Sequence, residues 1–226
     1  MLSSDWHMLL GLVIGTVVLF TVVIVFSLRF ATRRQVRVLR DTKASAVLAE
    51  AGLSETNRSA LLYGIWQTTM GEVILHVRDG SDTEVARVVH RVAGAEITLG
   101  AEHYAVVPTS GWNESAALMR GSDRTGESAP LCSFERRGWA SPLACYTLPD
   151  ASVLNIHRGW SLSWKPKPLA ILQNGQPMGQ LFALGGSTCN DGRALILSPS
   201  IALPIRIFIL YKALGSTSSN GGGHAG

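Results

Sequence analysis

The chain carries no Lys or Arg before Arg29. A secretory signal opens with a positively charged stretch, and none is present here, nor does a small-x-small cleavage site follow the first apolar run. Cysteine is also scarce. The three residues, Cys132, Cys145 and Cys189, are odd in number and never spaced as CxxC, which excludes a disulfide framework and fits reduced thiols in a cytosolic domain. No GxSxG, HExxH, Walker A, GxGxxG or Cys/His cluster occurs, so spacing points to no catalytic, metal or cofactor-binding residue. No D-x-D-x-D-G run with a distal Glu offers a calcium loop. His76, His90, His103 and His157 stand singly along the chain, as surface or satisfied core residues do. With a net charge of only +4 and no zinc finger or RNP run, no nucleic-acid surface is expected.

What the chain does have at its start is a long apolar run. Met8 to Phe30 covers 23 positions with Arg29 as its one charge. At 1.5 Å per residue such a helix reaches about 34 Å, enough for a hydrocarbon core of about 30 Å. Arg29, Arg33, Arg34, Arg37, Arg40 and Lys43 follow it, whereas residues 1–7 offer only Asp5 and His7. The positive-inside rule then places the short 1–7 head outside and everything after residue 30 in the cytoplasm. Gly11 and Gly15 make a GxxxG spacing, a candidate helix-packing face toward other membrane proteins. Residues 31–60 are expected to form a basic juxtamembrane stalk helix, over Ala31 to Ala51 and ending at Gly52, followed by a linker.

From Leu61 the pattern changes to short alternating runs separated by turn signals, as in a barrel or sandwich. Asn174-Gly175 lies between Ile171-Leu172 and Met178-Gly179, a hairpin whose type I′ turn needs positive φ at both central residues. Gly159 to Trp164 reads as a further strand. Pro204 to Leu214 (PIRIFILYKAL) is apolar on almost every face, too short to cross a bilayer, and framed by Pro204 at its start and Gly215 past its end. Such a helix belongs inside protein. Arg206 and Lys212 are its misfits, and each must reach a barrel mouth or find a partner. Residues 215–226 lack core-forming side chains and are expected to be a disordered tail.

Short antiparallel strands that end in one apolar helix resemble the tubby-like superfamily, which includes the LURP-one-related proteins and the phospholipid scramblases. The resemblance rests on Leu169 to Leu184 (LAILQNGQPMGQLFAL) and on Asn190 to Leu214 (NDGRALILSPSIALPIRIFILYKAL). It implies a mainly β fold, an antiparallel β-barrel over 61–214 enclosing a core helix at 204–214. Tubby domains bind phosphoinositide headgroups through a basic pocket, and scramblases use a calcium-linked acidic motif; neither pattern aligns here.

The functional expectation is a single-pass, membrane-anchored, non-enzymatic lipid-proximal binding or scaffold protein, needing no cofactor. Candidate contacts to the anionic leaflet are Arg33, Arg34, Arg37, Arg40, Arg136, Arg137, Lys165 and Lys167. The alternative is an accessory subunit of a larger membrane complex, docked through the span and the barrel surface. Trp112, Trp139, Trp160 and Trp164 are expected to be packing residues.

Overall fold

A computed structural model of the protein describes residues 13–23, 41–69, 72–91, 94–109, 115–121, 129–136, 143–157, 168–184 and 192–218. Residues 13–23 are helical (α1), followed by a short helix α2 (Ala44–Glu50) and a 3-10 helix (Glu55–Ala60). Strands β1 (Leu61–Thr69), β2 (Glu72–Asp79), β3 (Glu84–Arg91), β4 (Gly94–Leu99), β5 (Glu102–Thr109) and β6 (Ser115–Arg120) come next. Strands β7 (Cys132–Arg136), β8 (Leu143–Thr147), β9 (Val153–His157), β10 (Leu169–Gln173), β11 (Gln176–Ala183) and β12 (Gly192–Leu197) lead to the last helix, α3 (Leu203–Ser218). The strand expected over 159–164 lies outside the described residues.

The twelve strands form one closed antiparallel barrel in chain order, with β12 pairing back onto β1 from Leu61↔Ile196 to Ile65↔Gly192. Closure leaves no open edge to pair with another chain. Alternation divides each strand: Leu75 and Val77 on β2, Ala86 and Val88 on β3, and Leu195 and Leu197 on β12 face the lumen. At Asn174 and Gly175 the φ angles are 51° and 78°, the left-handed pair the β10–β11 turn requires.

α3 fills the lumen. Residues Ile205 to Tyr211 are buried without a break, so every face of nearly two turns is covered by barrel wall. Each of its large apolar side chains gains about 1.5–3 kcal/mol from that burial. Aromatic contacts run outward from it: Phe208 meets Tyr146 at 6.1 Å between centroids, and Tyr146 meets Phe134 at 5.0 Å. The sequence placed the end of this helix at Leu214, but it continues to Ser218 through Gly215. A glycine inside a helix costs only about 1 kcal/mol, which tertiary packing upstream can override.

Gly64 marks where α3 comes closest to the wall. A Cβ there would lie 2.8 Å from Leu75 Cδ1 and 3.2 Å from Leu210 Cδ2. Arg206 also has its answer, since Nη2 donates to the Ala60 carbonyl at 2.6 Å although the residue is only 6 % exposed. Its Nε has no partner among the described residues, and burial lowers its pKa.

The stalk expectation needs correction. The chain is not helical at Thr42 and Lys43, where Lys43 is extended (φ −118°, ψ 149°), and α2 does not project away from the barrel. Ala44, Val47 and Leu48 form an i, i+3, i+4 stripe that packs on the outer side of β1 (Leu61, Tyr63, Ile65), β11 (Phe182) and β12 (Ala194), with Leu184 beside them. The Asp82 carboxylate, from the β2–β3 turn, accepts the Ala44 N–H at 2.6 Å and the Tyr63 hydroxyl at 2.7 Å. Burial pushes the Asp82 carboxyl up, but the Tyr63 and Ala44 hydrogen bonds and the charges of Lys43 and Arg58 outweigh it and hold it below the usual value. Residues 31–40 lie outside the described residues.

Of the span expected over 8–30, residues 13–23 are described. They are helical, and Val13, Ile14, Val17, Val18, Leu19, Phe20, Val22 and Val23 are each 54–68 % exposed. Among the described residues, no helix is long and apolar enough to cross a membrane.

Substituting Gly64→Val forces new atoms between β1, Leu75 and Leu210. The expected loss is about 1–3 kcal/mol of unfolding free energy, measured by denaturant titration of the full chain in detergent. An unchanged midpoint would mean that α3 does not press on β1 at this position.

Candidate functional site

The barrel has two unlike ends. β12 runs toward the end where α3 begins, and α3 turns back through the lumen to emerge at the other. At that second end β1, β3, β5, β7, β9 and β11 finish and β2, β4, β6, β8, β10 and β12 start.

The lumen side of this mouth is polar and basic. On β7, Cys132 and Phe134 face inward, which puts Arg136 in the same phase at the rim. On β12, Leu195 and Leu197 face inward, and Arg193 shares their phase. α3 adds Lys212, whose Nζ sits 4.6 Å from the centroid of the Phe134 ring, a cation–π contact that holds the ammonium beside β7. The carboxylates at this end, Glu72, Glu96 and Glu135, alternate to the outer side; Glu72 and Glu96 flank Arg91 there at 3.7 and 3.5 Å. Among the described residues, none of the inward positions at this mouth is acidic.

An aromatic and imidazole group occupies the opposite wall. His90 Nδ1 lies 2.8 Å from the Tyr211 hydroxyl, and Trp66 meets Tyr211 edge-on at 6.1 Å between centroids. His90 is exposed as a residue, yet its ring is partly shielded by Tyr211. That burial, with the charge of Lys212, holds His90 below the usual imidazole value. His90 Nδ1 and the Tyr211 hydroxyl share this hydrogen bond, and among the described residues the inward positions of the mouth carry cations and no carboxylate.

Of the residues singled out from the sequence, Arg136 sits at this mouth. Arg33, Arg34, Arg37, Arg40, Arg137, Lys165, Lys167 and Gly11 lie outside the described residues, as do Trp112, Trp139, Trp160, Trp164 and Cys189. Gly15 is in α1, with nothing within 4 Å of where a Cβ would stand. Trp66, His90, Arg193, Tyr211 and Lys212 were not assigned to a binding site. Strand phase gives Trp66 and Arg193 a legible signal, but His90 and Tyr211 are 121 positions apart and meet only through closure of the barrel.

Other titratable groups among the described residues sit in the barrel wall. His76, on the outer wall, is held between Glu84 at 3.2 Å and Gln67 at 2.9 Å, tying β1, β2 and β3 together. Burial pushes the Cys132 thiol up to about 12, too high for a reactive thiolate. Cys145 Sγ lies 3.3 Å from Asn155 Oδ1. Among the described residues, no group of three or more His, Cys, Asp or Glu converges as metal ligands would.

No family model, curated protein or solved structure matches the chain.

Replacing Lys212 by Met removes a charge that disfavours imidazolium. The His90 midpoint, followed by NMR through the imidazole carbons, is expected to rise toward the ordinary value near 6.5. Because the folded value is depressed, the unfolded chain takes the proton first as pH falls. His90 therefore withdraws stability between the ordinary and the depressed value and no further below it. A midpoint that does not move in Lys212→Met would show that the ammonium does not face this ring.

Proposed function

We propose that the protein is a single-pass, membrane-anchored, non-enzymatic binding module, with a tubby-like barrel whose basic mouth receives anionic groups at the cytoplasmic membrane surface. The observation that carries this reading is α1. Its large apolar side chains are exposed on all sides of the helix, with no polar face to turn toward water. Thr21 satisfies its hydroxyl by donating to the Val17 carbonyl at 2.8 Å, which removes the need for an external acceptor. A helix of this kind is stable where its surroundings are hydrocarbon.

The mouth supplies the second half. Arg136, Arg193 and Lys212 combine a forked donor geometry that suits phosphate with a compact point charge, around an aromatic wall. A cation near an anionic leaflet contributes about 1 kcal/mol. The tubby-like assignment is supported by the strand number, the closure and the apolar C-terminal helix within the lumen. Arg33, Arg34, Arg37 and Arg40 would set the orientation of the anchor, with the barrel in the cytoplasm.

Two experiments on the full chain test this. Alkaline carbonate washing should leave the wild type with the membrane pellet, and a Val17→Lys/Phe20→Lys double variant should shift to the supernatant. Extraction in mild detergent, followed by mass spectrometry of retained lipid, should show anionic phospholipid at about tenfold lower occupancy in Arg136→Ala/Lys212→Met. Release of the wild type by carbonate would remove the anchor. Equal lipid retention in the variant would remove the mouth, and stoichiometric co-eluting proteins would favour an accessory subunit docked along the Gly15 side of the helix.

A further inference from the structure

Outer barrel walls face water and are polar unless something covers them. Here the outward-facing side chains Leu61, Tyr63 and Ile65 of β1, Phe182 of β11 and Ala194 of β12, with the neighbouring Leu184, make an apolar strip. The strip lies over the join between the first strand and the last, the one pairing in the barrel between strands that do not follow each other in the chain. α2 covers it with Ala44, Val47 and Leu48.

The attachment of α2 is narrow. At its start, Asp82 holds both the Ala44 N–H and the Tyr63 hydroxyl, and the chain before it leaves the helix at Thr42 and Lys43. At its end, Gly52 takes a φ of 67° and Leu53 N–H returns to the Leu48 carbonyl at 2.9 Å, which turns the chain back toward β1. The 3-10 helix that follows is anchored separately, by Arg58 Nε donating to the Gly80 carbonyl at 2.6 Å and by close packing against Gly80. α2 can therefore detach while the segment behind it stays in place. A helix of seven residues does not persist in water by itself, so detachment and melting are one event.

We propose that α2 is a releasable clasp. It opens as a local unit, exposes the apolar strip beside the β1–β12 join, and lengthens the tether between the barrel and the chain upstream of Asp41. Seven residues that span about 10 Å as a helix reach about 23 Å when extended, so release adds about 13 Å of slack. The Asp82 carboxylate is the catch, because it joins the β2–β3 turn, β1 and the start of α2. The clasp rests on the barrel's own geometry and holds whether or not α1 lies in a bilayer.

Hydrogen–deuterium exchange on the full chain in detergent tests this. Asp82→Gly removes the acceptor while tolerating the positive φ of 67° at this position, and Asp82→Asn keeps one side-chain oxygen. Exchange across residues 44–50 should rise about tenfold or more in Asp82→Gly and less in Asp82→Asn, with β3 to β8 unchanged, the scale set by losing hydrogen bonds to a charged acceptor. Tyr63→Phe, which leaves the ring in the strip, should give a smaller rise confined to the same segment and serves if Asp82→Gly does not fold. An equal rise throughout the barrel would show that α2 opens only with global unfolding and would overturn the clasp. So would unchanged exchange in 44–50.

Discussion

α3 has no face that can be given to water, and the rest of the domain is arranged around that constraint. Ile205, Ile207, Phe208, Ile209 and Leu210 are each buried, and they cover every direction around the helix axis. A single sheet or a helical pair would cover one side and leave the others exposed. A closed barrel covers all of them, and it removes strand edges at the same time. The lumen must then be matched to the helix residue by residue. Gly64 yields room to Leu210, and Phe134, Tyr146 and Phe208 fill the opposite side with tilted and edge-on rings.

The same constraint separates the two ends chemically. Where α3 enters, Arg206 is anchored on the Ala60 carbonyl, so the charge is used to fix the helix to the start of β1. Where α3 leaves, Lys212 and Tyr211 are set against Phe134 and His90, and the inward-phase Arg136 and Arg193 complete a basic rim. Closure also creates the β1–β12 join, and α2 lies over it. The segment that leads into the barrel thus touches the two strands that complete it.

Local pattern carried much of this fold and left out what depends on distance. The alternation through β2, β3 and β12, the Asn174-Gly175 turn and the apolar run from Pro204 are properties of neighbouring residues, and each appears where the sequence puts it. The stripe of Ala44, Val47 and Leu48 was equally present but is too short to stand out beside the basic run before it. Its docking depends on Asp82, which is 38 positions away from Ala44. The His90–Tyr211 pair was illegible for the same reason. The end of α3 was misplaced because Gly215 is a stop signal only where packing does not hold the helix on.

If burial of α3 organises the barrel, a chain ending at Pro199 cannot close around an empty lumen. The most direct measurement is near-ultraviolet circular dichroism of that truncated chain during thermal unfolding, beside the full chain under the same conditions. The expected result is loss of the aromatic signal and of any cooperative transition in the truncated chain. A cooperative transition with a native aromatic spectrum would contradict the account, since it would mean that the strands form their core without the helix.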